Sequence, residues 1–255
     1  MALLTCDFFS ESLEVGTSMT VVLPQVTEAQ VGVTAAGPDD GQGPAVLYLL
    51  HGMSDDHTAW LRYTSIERYA TAAGLAVVMP AVARSFYTDE AHGHAYWTFV
   101  ADELPRIVAS FFQVSTRPER TFVAGLSMGG YGAMKLALTH PGRYAAAASL
   151  SGALDIVHLA QDPVRGPELT GRVFGGAPGP EHDLFALLDA ADPAAVPPLH
   201  LSCGTEDALL PGTEELARRA AARGVEVTTD LRPGEHEWGL WDQVIRDVIA
   251  WLPRQ

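Results

Sequence analysis

Thr121-Phe-Val-Ala-Gly-Leu-Ser-Met-Gly-Gly-Tyr-Gly132 decides how the rest of the chain is read. Thr121 to Ala124 is a short apolar run suited to a buried strand, and Gly125-Leu126-Ser127-Met128-Gly129 has the pattern G-x-S-x-G. A helix-like run follows from Gly130 to His140. Strand, sharp turn with a serine, then helix is the arrangement of a nucleophile elbow. Such a turn cramps the backbone around the serine, so its neighbours must lack bulk, and Gly125, Gly129 and Gly130 meet that need. A helix that starts at once also aims free N–H groups and its positive dipole end at charge developing beside the serine. The plainer alternative is a glycine-rich turn with an incidental serine; the flanking strand and helix favour the catalytic reading.

Composition narrows the function classes. At 255 residues, with 47% hydrophobic and 18% charged residues, the chain has the make-up of a globular protein. We read 1–255 as a single α/β domain. Sixteen basic against thirty-one acidic residues give a net charge of −15, which argues against nucleic acid or an anionic membrane surface as partner. Two cysteines, Cys6 and Cys203, are too few for a disulfide framework, and Cys203 reads as a small buried hydrophobe. The opening Met-Ala-Leu-Leu-Thr-Cys-Asp shows neither the basic segment nor the long apolar run of a leader, and no run is long enough to span a bilayer. A soluble, cytoplasmic protein is expected, and a homo-oligomer is left open.

Outward from the elbow, strands and helices alternate. Leu3 to Phe9 and Ser18 to Leu23 read as antiparallel edge strands, and Ala35 to Pro44 as a surface loop. Ala45 to Leu50 is continuously apolar, as a strand covered on both faces must be. Helix is expected over Thr64 to Ala73 and strand over Leu75 to Met79. Apolar residues at helical spacing from Phe99 to Phe112 predict a helix that Pro105 kinks. After the elbow helix come a strand over Tyr144 to Leu150, another over Leu199 to Cys203, a helix over Thr213 to Ala222 and a strand over Val225 to Leu231. The last helix carries Trp241, Val244, Ile245, Val248, Ile249 and Leu252 on one face. Residues 153–198 break the rhythm with seven prolines and read as a compact excursion over the carboxyl edge of the sheet. The pattern predicts a mostly parallel, twisted sheet with helices on both faces.

In such a sheet, functional residues lie beyond the carboxyl ends of strands. A serine hydroxyl needs a base, and the base needs a third group to fix its tautomer, in the chain order serine, acid, histidine. Of the late histidines, His182 lies in the excursion and His200 starts a strand, whereas His236 sits between the last strand and the last helix. His236 is therefore the expected base. Asp207, three residues beyond Gly204, is the expected acid, with the adjacent Glu206 as substitute; the alternative for Asp207 is a helix cap. The oxyanion donors are expected to be the N–H groups of Met128, next after the serine, and Met53, in the loop after Leu50. Trp60, Phe86, Leu209 and Trp238 are candidates for the substrate pocket, although aromatic residues there serve core packing as often. His51, Asp55, Asp56 and His57, or His92 and His94, invite a metal reading, but ordinary loops account for them. No metal or cofactor is expected.

With these loops in view, the chain resembles the esterase D and antigen 85 group of α/β-hydrolases, above all bacterial tributyrin esterases. The likeness runs through Val46-Leu-Tyr-Leu-Leu-His-Gly-Met-Ser54, Trp60, Val77 to Pro80, Tyr87-Thr-Asp89, Glu103-Leu-Pro105 and Ala124 to Gly132. It continues through Ser149-Leu-Ser-Gly152, Gly204 to Asp207 and Gly234-Glu-His-Glu-Trp238, nearly the whole chain in order. The resemblance implies the α/β-hydrolase fold and a carboxylesterase for short acyl chains that works through an acyl-enzyme on Ser127, His236 and Asp207. Sister branches, S-formylglutathione hydrolase or an acyltransferase, are the alternatives. A non-catalytic binding module would be expected to lack a triad member, and all three are present in order.

Overall fold

The computed structural model describes residues 1–27, 31 and 43–253, and in it the apolar runs of the sequence become strands. They are β1 (Ala2–Ser10), β2 (Val15–Leu23), β3 (Val46–Leu50), β4 (Ala76–Pro80), β5 (Thr121–Leu126), β6 (Ala146–Leu150), β7 (Leu199–Gly204) and β8 (Val227–Arg232). One sheet holds all eight in the order β1-β2-β4-β3-β5-β6-β7-β8. The β1–β2 hairpin is antiparallel and joins β4 antiparallel; every pairing from β4 to β8 is parallel. The loop expected over 35–44 lies, up to residue 42, outside the described residues.

The principal helices are α1 (Ile66–Ala73), α2 (Leu104–Phe111), α3 (Met128–Thr139), α4 (Leu184–Ala190), α5 (Leu210–Ala222) and α6 (Trp238–Trp251). The two-residue period of the strands divides them between two cores. Val46, Tyr48 and Leu50 face one side with Val123, Ala147 and residues of α2, α3, α4 and α5. Leu47 and Leu49 face the other with Phe122, Ala124, Ala148, Trp60 and residues of α1 and α6. Apolar residues on both faces of β3 to β7 follow directly: neither face meets water.

Two prolines stand in the first turns of helices. Pro105 stands in the first turn of α2, and the helical run it belongs to winds more widely just before it, over Phe99–Glu103. Pro211 likewise opens α5 three residues earlier than Thr213. Within 153–198, Asp183 caps α4 by accepting from the Phe185 N–H at 2.9 Å. This segment is tied to the 84–94 strap by Arg84–Glu168 and Arg172–Glu90 ion pairs and by Ala91 N–H donating to Val173 O at 2.9 Å.

Candidate active site

Ser127 stands between β5 and α3 with φ +53° and ψ −117°, a backbone conformation that L-residues rarely adopt. The surroundings enforce it. Its N–H donates to Leu150 O at 2.9 Å and its carbonyl accepts from Ala153 N–H at 3.0 Å, so the turn after β6 clamps both sides of the residue. A Cβ on Gly129 would come within 2.3 Å of Leu50 O, and one on Gly125 within 2.4 Å of the Gly129 backbone. The glycines of the motif thus let the start of α3 lie against the ends of β3 and β5.

The loops after β7 and β8 bring the other two predicted residues to this turn. His236 Nε2 is 3.0 Å from Ser127 Oγ, and His236 Nδ1 is 2.7 Å from Asp207 Oδ2. The second Asp207 oxygen accepts the Leu209 N–H at 2.9 Å. Burial by itself raises the Asp207 carboxyl, but the hydrogen bonds from His236 and Leu209 outweigh it and hold the group below its ordinary value. Glu206, the alternative acid, points elsewhere: it accepts Gly234 N–H at 2.6 Å while its own N–H donates to Gly234 O. It locks the two loops together. Gly204 is needed for that approach, since a Cβ there would meet Gly234 O at 2.1 Å.

These residues border a cavity of about 530 Å³, also walled by Met53, Asp55, Phe86, Leu209 and Trp238. Residues 153–198 contribute Ala153, Leu159, Arg165 and Leu169 to it. Of the four pocket candidates, Trp60 is the exception. It is fully buried in the core beneath, donating Nε1–H to Leu50 O at 3.1 Å. Trp60 supports the wall from behind, edge-on to Trp238 at 5.3 Å, and Trp238 packs in turn on Trp241, whose ring stands edge-on to His236. Its alternative reading, core packing, is what the structure has.

Met53 follows Gly52, whose N–H is taken by Asp55 Oδ2 at 3.2 Å. Met128 opens α3, where an N–H has no acceptor within the helix. His51 fixes the Met53 loop. Its Nε2 accepts Val82 N–H at 3.1 Å and its Nδ1 is 2.7 Å from Gly52 O, so the proton sits on Nδ1. Burial lowers its pKa to about 4, which keeps the ring neutral. With both nitrogens engaged, His51 has nothing left for a metal, and among the described residues no three His, Cys, Asp or Glu side chains converge as ligands.

The chain matches the esterase family model over residues 24–252. It belongs to the esterase family. An acetyl esterase of Caldicellulosiruptor saccharolyticus is 28% identical over 273 residues, covering 100% of this chain and 99% of that protein. The substrate-bound structure of FphF, a fluorophosphonate-binding serine hydrolase of Staphylococcus aureus, superposes with a TM-score of 0.87 at 32% identity, covering 100% and 99% of the two chains. A Staphylococcus aureus S-formylglutathione hydrolase gives a TM-score of 0.83 at 32% identity, with 98% of each chain covered. This esterase is therefore a serine hydrolase with the α/β-hydrolase fold.

Several residues of the esterase site escaped sequence reasoning. Tyr87, with φ +50° like the expected pocket residue Phe86 before it, donates its hydroxyl to His51 O at 3.0 Å, propping the loop of Met53. Nothing in Ser85-Phe-Tyr-Thr-Asp89 signals such a backbone, because positive φ is expected of glycine. Asp55 and the Leu159–Leu169 wall were equally silent: one reads as a polar loop residue, the other as irregular chain.

Proposed function

We propose that this esterase hydrolyses carboxylic esters with short acyl groups, with Ser127 as nucleophile, His236 as base, and Asp207 holding the imidazole in the right tautomer. The observation that carries the reading is the unbroken line Asp207 Oδ2–His236 Nδ1 at 2.7 Å and His236 Nε2–Ser127 Oγ at 3.0 Å, opening into a cavity. His236 Nε2 takes the hydroxyl proton as Ser127 Oγ attacks the ester carbonyl. The N–H groups of Met53 and Met128 hold the resulting oxyanion. Protonated His236 then releases the alcohol, and water repeats the cycle on the acyl-enzyme. The acetyl esterase among the relatives supports small acyl groups.

A chain-length series of p-nitrophenyl esters run beside S-formylglutathione tests the substrate class. The expected outcome is a preference for acetyl to butyryl esters. The likeness to an S-formylglutathione hydrolase makes strong thioester selectivity the alternative; Glu206 and Glu235 beside the cavity repel an anionic substrate, whereas Arg165 in the same wall attracts one. Ser127→Ala tests the nucleophile: kcat should fall about a million-fold, and retention of most activity would refute the assignment.

A further inference from the structure

Lys135 lies buried on α3, the helix that begins at the nucleophile, and the mechanism above gives it no task. An ammonium carries three donors and gives up its hydration in such a place, so its acceptors show what the fold uses it for. They are not carboxylates. Nζ is 3.0 Å from Thr88 Oγ1, 3.3 Å from His182 Nδ1 and 3.4 Å from Tyr87 O. Thr88 passes the contact on, donating its hydroxyl to Phe86 O at 3.1 Å. Two of the three contacts therefore converge on Phe86-Tyr87-Thr88, where Phe86 and Tyr87 both have φ +50°. Successive residues with side chains in the left-handed region persist only where their neighbours hold them there. Ser85 Oγ holds the Tyr87 N–H at 3.1 Å from within the strap, and Lys135 supplies the hold from α3.

We propose that Lys135 is a positioning residue of this esterase: through Thr88 and the Tyr87 carbonyl it holds the strap in the strained conformation that keeps the Tyr87 hydroxyl on His51 O. That hydroxyl bond, at 3.0 Å, props the residue from which Gly52 and Met53 continue. The inference rests on the oxyanion role given above to the Met53 N–H. An alkyl side chain in place of the ammonium would leave Tyr87 O and Thr88 Oγ1 without this buried donor and free the strap to relax, carrying the tyrosine hydroxyl away from the loop. The Phe86 ring keeps its own edge-on packing against Tyr131 at 6.0 Å, so the cavity wall does not depend on the ammonium.

Lys135→Met and Thr88→Val each break this relay with little change of shape. On p-nitrophenyl acetate each should lower kcat about tenfold, the loss of one hydrogen bond to a charged group, with KM near wild type because the interaction disturbed is one made in the transition state. Since both substitutions act through one chain of contacts, the double variant should be no slower than the slower single one. Wild-type kcat in either variant, a loss carried by KM alone, or a double variant slowed by the product of the two single effects overturns the inference. If Lys135→Met fails to fold, Thr88→Val decides by itself. Tyr87→Phe reads the oxyanion loop separately. A loss of kcat there beside wild-type kcat in Lys135→Met removes only this proposal, whereas full kcat in Tyr87→Phe removes the role given to the loop and this inference with it.

Discussion

Lys135, the single lysine of the chain, offers a measurement whose sign and size follow from its surroundings. It sits two turns into α3 with 3% exposure, its Nζ 3.0 Å from Thr88 Oγ1 and 3.3 Å from His182 Nδ1, and 4.5 Å from the centre of the Trp97 ring. Burial lowers its pKa from 10.5 to about 7, against a smaller opposing pull from Asp89 and Glu181. The unfolded chain therefore binds a proton between pH 7 and 10.5 that the folded chain does not, and stability rises with pH across that window. The slope is about 1.4 kcal/mol per pH unit where the two states differ by a full proton. Half-titration at the lower end reduces the gain from pH 7 to pH 9 to roughly 2 kcal/mol. Lys135→Met removes this term while leaving every other titrating group in place. Urea denaturation of both proteins at the two pH values isolates it: wild type should gain about 2 kcal/mol relative to the variant. An equal gap at pH 7 and pH 9 would refute the reasoning and mean that the Thr88 and Trp97 contacts keep the ammonium charged at both.

Two further outcomes are expected. Asp207→Asn keeps the shape but presents an amide to His236 Nδ1, favouring the tautomer that cannot accept the Ser127 proton; kcat should drop about ten-thousand-fold, or roughly 5 kcal/mol in the barrier, measured by steady-state hydrolysis. Glu103 accepts Ser10 Oγ at 2.7 Å and the N–H groups of Glu11 and Ser12 at 2.8 and 3.0 Å, pinning the β1–β2 turn. Burial raises its carboxyl, but these bonds outweigh it and hold it below the usual glutamate value, so their contribution is present above that value and lost as pH falls through the folded one. Glu103→Gln should cost about 1–3 kcal/mol at neutral pH, and the gap to wild type in urea titrations should close in acid.

The local rules of the chain were enough for the order of its elements. A short, continuously apolar run such as Val46–Leu50 suits a strand covered on both faces, and the glycines flanking Ser127 announce a tight turn. Topological order then singled out His236 among the late histidines. What sequence spacing could not resolve was anything set by contacts between distant segments. Trp60 and Trp238 are both loop-adjacent tryptophans, but only packing puts one under the wall and the other in it. The sequence favoured Asp207 over the neighbouring Glu206, but the reason for the choice lies in the fold: the backbone of the Gly234 loop claims Glu206 and leaves Asp207 to the imidazole. Cys203 reads as a small hydrophobe, and its place beside Asp207 and Ser151 exists only once β6 and β7 pair. Periodicity and turn chemistry are properties of consecutive residues and were legible in the sequence. The partners of a buried polar group belong to segments tens of residues apart, and only the folded chain decides them.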